Sequence, residues 1–129
     1  HFYLENILYN TETELKTAKM ITTARYGNMF GEEVLAEVFK NSDIFIEKFS
    51  WVFSDKYHIQ REFEIFEEID NIKKTYRIDR LLVDKENKKI WILDYKTGGK
   101  DEEQLENYKR ILEGQFGNEY KVETMFLYV

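Results

Sequence analysis

The sequence contains no cysteine and only two histidines among its 129 residues. Without cysteine there is no disulfide framework, no zinc cluster with thiolate ligands and no thiolate nucleophile, and two histidines are too few for a histidine-rich metal site. No apolar run approaches the roughly 18 residues of a membrane span, and no signal peptide is visible. We therefore expect a cytoplasmic protein without a membrane partner.

The composition that is present indicates a packed globule. Hydrophobic residues make up 43% of the chain and aromatic residues 16%, which argues against disorder. A length of 129 residues predicts a single domain over residues 1–129. The chain starts without an initiator methionine, and we expect it to be a fragment of a longer protein.

A predicted hairpin organises the chain. The runs Tyr76–Val83 and Ile90–Lys96 flank a charged segment that favours a turn. A turn centred between Glu86 and Asn87 sets the register of the two strands. The predicted pairs are Val83 with Ile90, Leu81 with Ile92, and Asp79 with Asp94.

This register places two carboxylates side by side. Facing side chains on an antiparallel pair have Cβ atoms about 4.5–5.5 Å apart, so Asp79 and Asp94 repel each other unless something offsets their charge. Lys96 lies on the same face as Asp94 because side chains alternate along a strand. A divalent cation with oxygen ligands reconciles both carboxylates, and the trio suits metal-dependent phosphodiester hydrolysis.

The alternative interpretation is an ordinary surface ion pair between Asp79 and Lys96. The second strand argues against it, because residues 90–93 are apolar on both faces, as in a central, covered strand. Charges buried there need partners or a metal.

Three segments together resemble a known family. They are Ile78-Asp79-Arg80, Leu93-Asp94-Tyr95-Lys96-Thr97 and Gln104-Leu105-Glu106-Asn107-Tyr108. Their order and spacing are similar to those of the C-terminal nuclease domain of RecB and AddA, in the PD-(D/E)XK nuclease superfamily. The resemblance covers roughly residues 76–108.

The resemblance implies a restriction-endonuclease-like α/β fold, a mixed β-sheet core flanked by helices. It also implies a Mg²⁺-dependent DNA exonuclease, with Mn²⁺ as a possible substitute, that works in recombinational double-strand-break repair. The implied partners are DNA, an upstream helicase domain and a partner subunit of a helicase-nuclease complex.

The resemblance assigns roles to individual residues. It implies that Asp79, Asp94 and the backbone carbonyl of Tyr95 bind the metal, and that Lys96 orients the attacking water and steadies the charge on the phosphate. Gln104 and Tyr108 would support the site or touch the DNA. Six basic residues are expected near it: Arg77, Arg80, Lys96, Lys100, Lys109 and Arg110.

The chain departs from the family at one position. Relatives carry Gly-x-x-x-His on an early helix, whereas this chain has glycine, Gly31, where the histidine is expected. Glu32 or Glu33 could supply the missing ligand, and Glu62 resembles an acidic position of relatives; all three are also ordinary exposed charges. The departure and the net charge of -6 favour a second hypothesis, a catalytically degenerate domain that binds DNA or a partner subunit. A third is a structural domain whose carboxylates only solvate a hairpin.

The remaining chain predicts the order α, β, β, β, α, β. Helical patterns cover residues 1–10 and 13–39, with an interruption around residues 27–31 and a core-facing stripe that includes Val34 and Val38. Ser42-Asp43 is predicted to cap a further helix. Strands are predicted at 58–69 and 120–129, and a helix capped by Asp101 is predicted to end at Gly114.

Overall fold

A computed structural model describes residues 2–96 and 102–128. The chain divides into two compact units, one running to Asp55 and the other spanning Lys56–Tyr128, and each is described by itself. The single domain over residues 1–129 stays a prediction. Within the described ranges, no helix is both long and apolar enough to cross a membrane.

The first unit is helical. Its elements are α1 (Phe2–Glu5), α2 (Glu12–Phe30), α3 (Glu32–Lys48) and a 3₁₀ turn (Ser50–Phe53). Thr11 caps α2, because its hydroxyl accepts a hydrogen bond from the Glu14 amide at 3.2 Å. The predicted interruption lies at Gly31, whose φ of 81° separates α2 from α3, whereas Gly27 continues the helix.

A polar contact joins the three helices of this unit. The buried Tyr3 hydroxyl donates to Asp43 Oδ1 at 2.7 Å, and Lys19 Nζ donates to Asp43 Oδ2 at 2.9 Å. The predicted cap at Ser42-Asp43 is therefore wrong, because both residues lie inside α3. The predicted stripe is also wrong in part, since Val34 and Val38 are exposed.

The second unit is a four-stranded mixed sheet with one helix packed on it. Its elements are β1 (His58–Ile69), β2 (Ile72–Asp84), β3 (Lys89–Lys96), α4 (Glu102–Phe116) and β4 (Lys121–Tyr128). The sheet order is β1-β2-β3-β4; β3 and β4 are parallel and the other neighbours are antiparallel. The predicted order and the α/β class are confirmed, and the sheet is consistent with a restriction-endonuclease-like fold.

The central hairpin has the predicted turn. Val83 pairs with Ile90 and Leu81 with Ile92, and the turn comprises residues 85–88. The buried Asp84 carboxylate accepts hydrogen bonds from the Asn87 amide (3.1 Å) and side chain (2.9 Å), which lower the pKa of Asp84. Because β3 has neighbours on both sides and Ile92 and Leu93 are fully buried, it is the covered strand that the sequence predicts.

Helix α4 covers one face of the sheet. Its apolar stripe and the sheet form one core, made of Ile65, Ile78, Leu81, Ile90, Ile92, Leu105, Tyr108, Ile111, Leu112 and Val122. The Tyr76 and Tyr108 rings meet edge to face at 5.9 Å. The helix runs through Gly114 to Phe116, so its predicted end is wrong, and the predicted cap Asp101 lies outside the described residues.

Strand β2 changes face in its middle. Ile78 and Leu81 both belong to the core under α4, although an odd spacing places residues on opposite faces of a regular strand. The change therefore falls at Asp79 and Arg80. On β1, Arg61 pairs with Arg80 and Phe63 pairs with Ile78. Glu62 lies between them and has a φ of 50°. This irregularity sets the geometry of the candidate site.

Candidate active site

The carboxylate of Asp79 takes the place of a backbone hydrogen bond between β2 and β3. The β2–β3 ladder ends at Arg80 and Leu93, one pair before Asp79 and Asp94. Beyond it, Asp79 Oδ2 accepts a hydrogen bond from the Tyr95 amide at 3.0 Å. The side chain thereby satisfies a buried N–H group where the strands diverge.

The carboxyl groups of Asp79 and Asp94 lie close enough for each to affect the ionisation of the other. Burial, the hydrogen bond with Asp94 and the charges of Asp94 and Glu62 together raise the pKa of Asp79 to about 7, although the Tyr95 amide acts in the opposite direction. Close carboxylates behave in this way because both cannot ionise without cost. The protonated form of Asp79 therefore persists to a higher pH than that of an ordinary aspartate.

Lys96 completes the group. Its Nζ lies 3.0 Å from Asp94 Oδ2, and the side chains of Lys96 and Asp94 are 24% and 11% exposed. An ammonium in this position offsets one of the two negative charges and leaves the other for a further cation.

The site fits a divalent cation at its two carboxylates. Asp94 Oδ2 is buried, and the Lys96 ammonium lies 3.0 Å from it. Carboxylate oxygens are the ligands that Mg²⁺ prefers. Within residues 2–96 and 102–128, however, no three acidic or histidine side chains lie close enough to share an ion. The Tyr95 carbonyl as a ligand stays a prediction.

Gln104 and Tyr108 lie on α4. Gln104 is half-buried in its first turn. Tyr108 is 4% exposed and packs on Tyr76, so the residue has little surface to offer DNA and supports the helix instead.

The basic residues that the sequence predicts near the site differ in their exposure and in their partners. Arg80 is fully buried, which excludes it from a DNA surface. Arg77 pairs with Glu62 and Glu64, and Arg110 pairs with Glu67 at 2.6 Å. Lys109 is half-buried on α4, and Lys100 lies outside the described residues.

The candidates for an additional ligand are divided between the two units. Gly31 precedes α3, and Glu32 and Glu33 are exposed in its first turn, in the helical unit. Glu62 lies on β1, in the unit that carries Asp79 and Asp94. As additional ligands, all three glutamates stay predictions.

The pairing of Glu62 with Arg77 is missing from the sequence interpretation. The signal that could have revealed it is the two-residue turn Asp70-Asn71, in which both residues have positive φ. Such a turn fixes the register of the strands that it joins. Counting back from Ile69 and Ile72 places Arg77 opposite Glu64 and Asp79 opposite Glu62, so Arg77 lies diagonally across from Glu62, within reach of a long side chain.

Comparison with known proteins does not assign the chain to a family. No family model matches it, and no curated protein matches it significantly. A crystal structure of protein VC1899 from Vibrio cholerae is similar with a TM-score of 0.40 and 11% sequence identity. The similarity covers 92% of this chain but only 27% of the Vibrio protein. At this level it identifies neither a family nor an activity.

Proposed function

We propose that this chain is a Mg²⁺-dependent deoxyribonuclease domain of the PD-(D/E)XK type, in which Mn²⁺ can replace Mg²⁺. The observation that supports this most directly is the grouping of the trio at one end of the β2–β3 ladder: Asp79 Oδ2 accepts the Tyr95 amide hydrogen bond at 3.0 Å, and Lys96 Nζ lies 3.0 Å from Asp94 Oδ2. The order of these residues in the sequence favours a RecB- or AddA-like exonuclease. On this proposal the chain works beside a helicase and a partner subunit in double-strand-break repair.

Each residue of the trio has a distinct task. Asp79 and Asp94 would hold the cation through their ionised carboxylates. When bound, the cation supplies a polarised phosphate and a more acidic water. The Lys96 ammonium orients that water and stabilises the negative charge that grows on the phosphate oxygens. The Tyr95 amide keeps Asp79 in position.

The test is a cleavage assay on single- and double-stranded DNA across a titration of Mg²⁺ or Mn²⁺. We expect Asp94→Asn and Lys96→Ala to lower the cleavage rate by at least about 100-fold, because each removes charge stabilisation from the transition state. Lys121→Ala is the matched lysine control, since Lys121 is exposed at the other end of the β3–β4 pair. Equal cleavage by the natural chain and Asp94→Asn would reject the proposal.

One observation favours a second function, a degenerate domain that binds DNA or braces a partner subunit. Among the described residues, no third acidic or histidine side chain joins Asp79 and Asp94 in a group that could hold a metal ion. On this reading the natural chain cuts no DNA in any metal, and Lys96→Ala binds DNA or its partner as the natural chain does. A binding assay run beside the cleavage assay separates the two functions.

A further inference from the structure

Glu62 occupies an unusual place beside the candidate site. It lies in the middle of β1, yet its φ of 50° is in the left-handed region, which a non-glycine residue in a strand rarely adopts. It stands opposite Asp79 in the register, between the pairs Arg61–Arg80 and Phe63–Ile78. Its charge is close enough to contribute to the raised pKa of Asp79.

Arg77 holds the Glu62 carboxylate. Arg77 Nη1 lies 3.4 Å from Glu62 Oε2, and Arg77 Nη2 lies 3.6 Å from Glu64 Oε1. The arginine thus bridges two carboxylates of the neighbouring strand. Glu62 is 34% exposed and Glu64 63% exposed, so Glu62 is the more enclosed of the two.

The Arg77–Glu62 contact is weak enough to exchange. The Arg77 side chain is 61% exposed, and an ion pair so open to water changes an equilibrium by no more than about fivefold. The Glu64 carboxylate can keep the arginine in place once Glu62 leaves. A divalent cation at Asp79 and Asp94 offers Glu62 a stronger partner, since the two aspartates alone leave a hard cation short of oxygen ligands.

We propose that Glu62 is a reserve carboxylate for the Asp79–Asp94 site, held away by Arg77 without a cation and turned toward the site when a divalent cation binds. The proposal rests on the proposed function, because it needs a cation at the two aspartates. Arg77 is then a positioning residue that acts through Glu62. The arrangement makes cation binding a competition between an ion and a guanidinium for one side chain.

The experiment measures Mn²⁺ binding to the whole chain by titration calorimetry, without DNA. We expect Glu62→Gln to weaken binding about 3- to 10-fold and Glu64→Gln, the matched control, to change it less than about twofold. Arg77→Met keeps the aliphatic stem and removes the competitor, so it should tighten binding about 2- to 5-fold. Circular dichroism shows whether each variant keeps the fold.

The double variant Glu62→Gln/Arg77→Met separates this mechanism from general electrostatics. If Arg77 acts through Glu62, the arginine substitution has no effect once Glu62 is neutral, and the double variant binds as Glu62→Gln does. If the tightening persists in the double variant, Arg77 acts only as a nearby charge and the proposal is overturned.

The remaining outcomes distinguish failure of the role of Glu62 from failure of the cation site itself. Equal binding by Glu62→Gln and Glu64→Gln, with binding abolished in Asp94→Asn, rejects the role of Glu62 and leaves the cation site standing. Failure of the natural chain to bind Mn²⁺, or binding unchanged in Asp94→Asn, rejects the cation site and the role of Glu62 with it.

Discussion

At the scale of single residues, Asp79 serves both the fold and the candidate site. One carboxylate oxygen accepts a hydrogen bond from the Tyr95 amide, and this bond holds the diverging strands together. The carboxyl group also interacts with that of Asp94. The first contact favours the ionised form and the second disfavours it. Burial and the second contact prevail, because the pKa of Asp79 rises to about 7 from an ordinary value of 3.8.

The raised pKa of Asp79 predicts that the stability of the metal-free protein depends on pH. The folded state binds the Asp79 proton more tightly than the unfolded state, so the contribution of Asp79 to stability is largest below about pH 4 and declines as the pH rises through 7. In EDTA at about pH 8, we expect Asp79→Asn to raise the free energy of unfolding by about 1 to 2 kcal/mol, a figure lowered for partial solvent access. Urea unfolding at several pH values measures it, and the gain should shrink as the pH falls toward 4.

Asp84→Asn is a control of opposite sign. Asn87 lowers the pKa of Asp84, so the ionised form stabilises the turn above the ordinary pKa of an aspartate and the contribution is lost in acid. We expect Asp84→Asn to destabilise the protein at neutral pH. If Asp79→Asn also destabilises it at about pH 8 in EDTA, the two carboxylates do not strain the metal-free site.

At the scale of elements, replacing each of two glycines near the end of α4 by alanine is expected to change stability in opposite directions. A Cβ at Gly114 would meet nothing within 4 Å, and Gly114 lies inside the helix. A Cβ at Gly117 would lie 2.4 Å from the Glu113 carbonyl oxygen, which already accepts the Gly117 amide. We expect Gly114→Ala to stabilise the protein by about 0.5 to 1 kcal/mol and Gly117→Ala to destabilise it, because backbone must shift.

Thermal unfolding of the two alanine variants tests this pair. Similar changes in the unfolding temperature for both would show that a Cβ at Gly117 does not clash with the Glu113 carbonyl. Destabilisation by Gly114→Ala would contradict a helical Gly114 with open space around it.

The elements also show which features of the fold can be predicted from the sequence. Alternation and the charged turn were enough to predict that Val83 pairs with Ile90, because a register error would turn an apolar face to water. They do not predict that the ladder stops before Asp79, since alternation assumes a regular strand and β2 changes face at Asp79 and Arg80. The end of α4 is predicted wrongly because a glycine inside a helix costs only about 1 kcal/mol, which tertiary packing can override.

At the scale of the whole molecule, charge limits how this chain can meet DNA. The net charge is -6, and the arginines at positions 77 and 110 are already paired with glutamates. Because phosphate contacts supply most nonspecific affinity, we expect the isolated chain to bind DNA weakly. A cation in the site would contribute positive charge at the place where the phosphate must lie, so metal and DNA binding should reinforce each other.

The same cation should stabilise the whole fold. A ligand that binds only the folded state at about 100 times its dissociation constant adds about 2.7 kcal/mol, which for a chain of this size raises the unfolding temperature on the order of 10 °C. We expect this shift with Mn²⁺ at about pH 8, where Asp79 is mostly ionised, and a smaller one at about pH 6, where the cation must displace a proton. Scanning calorimetry measures the shift in unfolding temperature. The metal-free sample contains sodium chloride to match the ionic strength, because any salt screens the acidic surface. An equal shift in Asp94→Asn would mean that the ion binds elsewhere, and the two aspartates would then be a strained carboxylate pair without a metal.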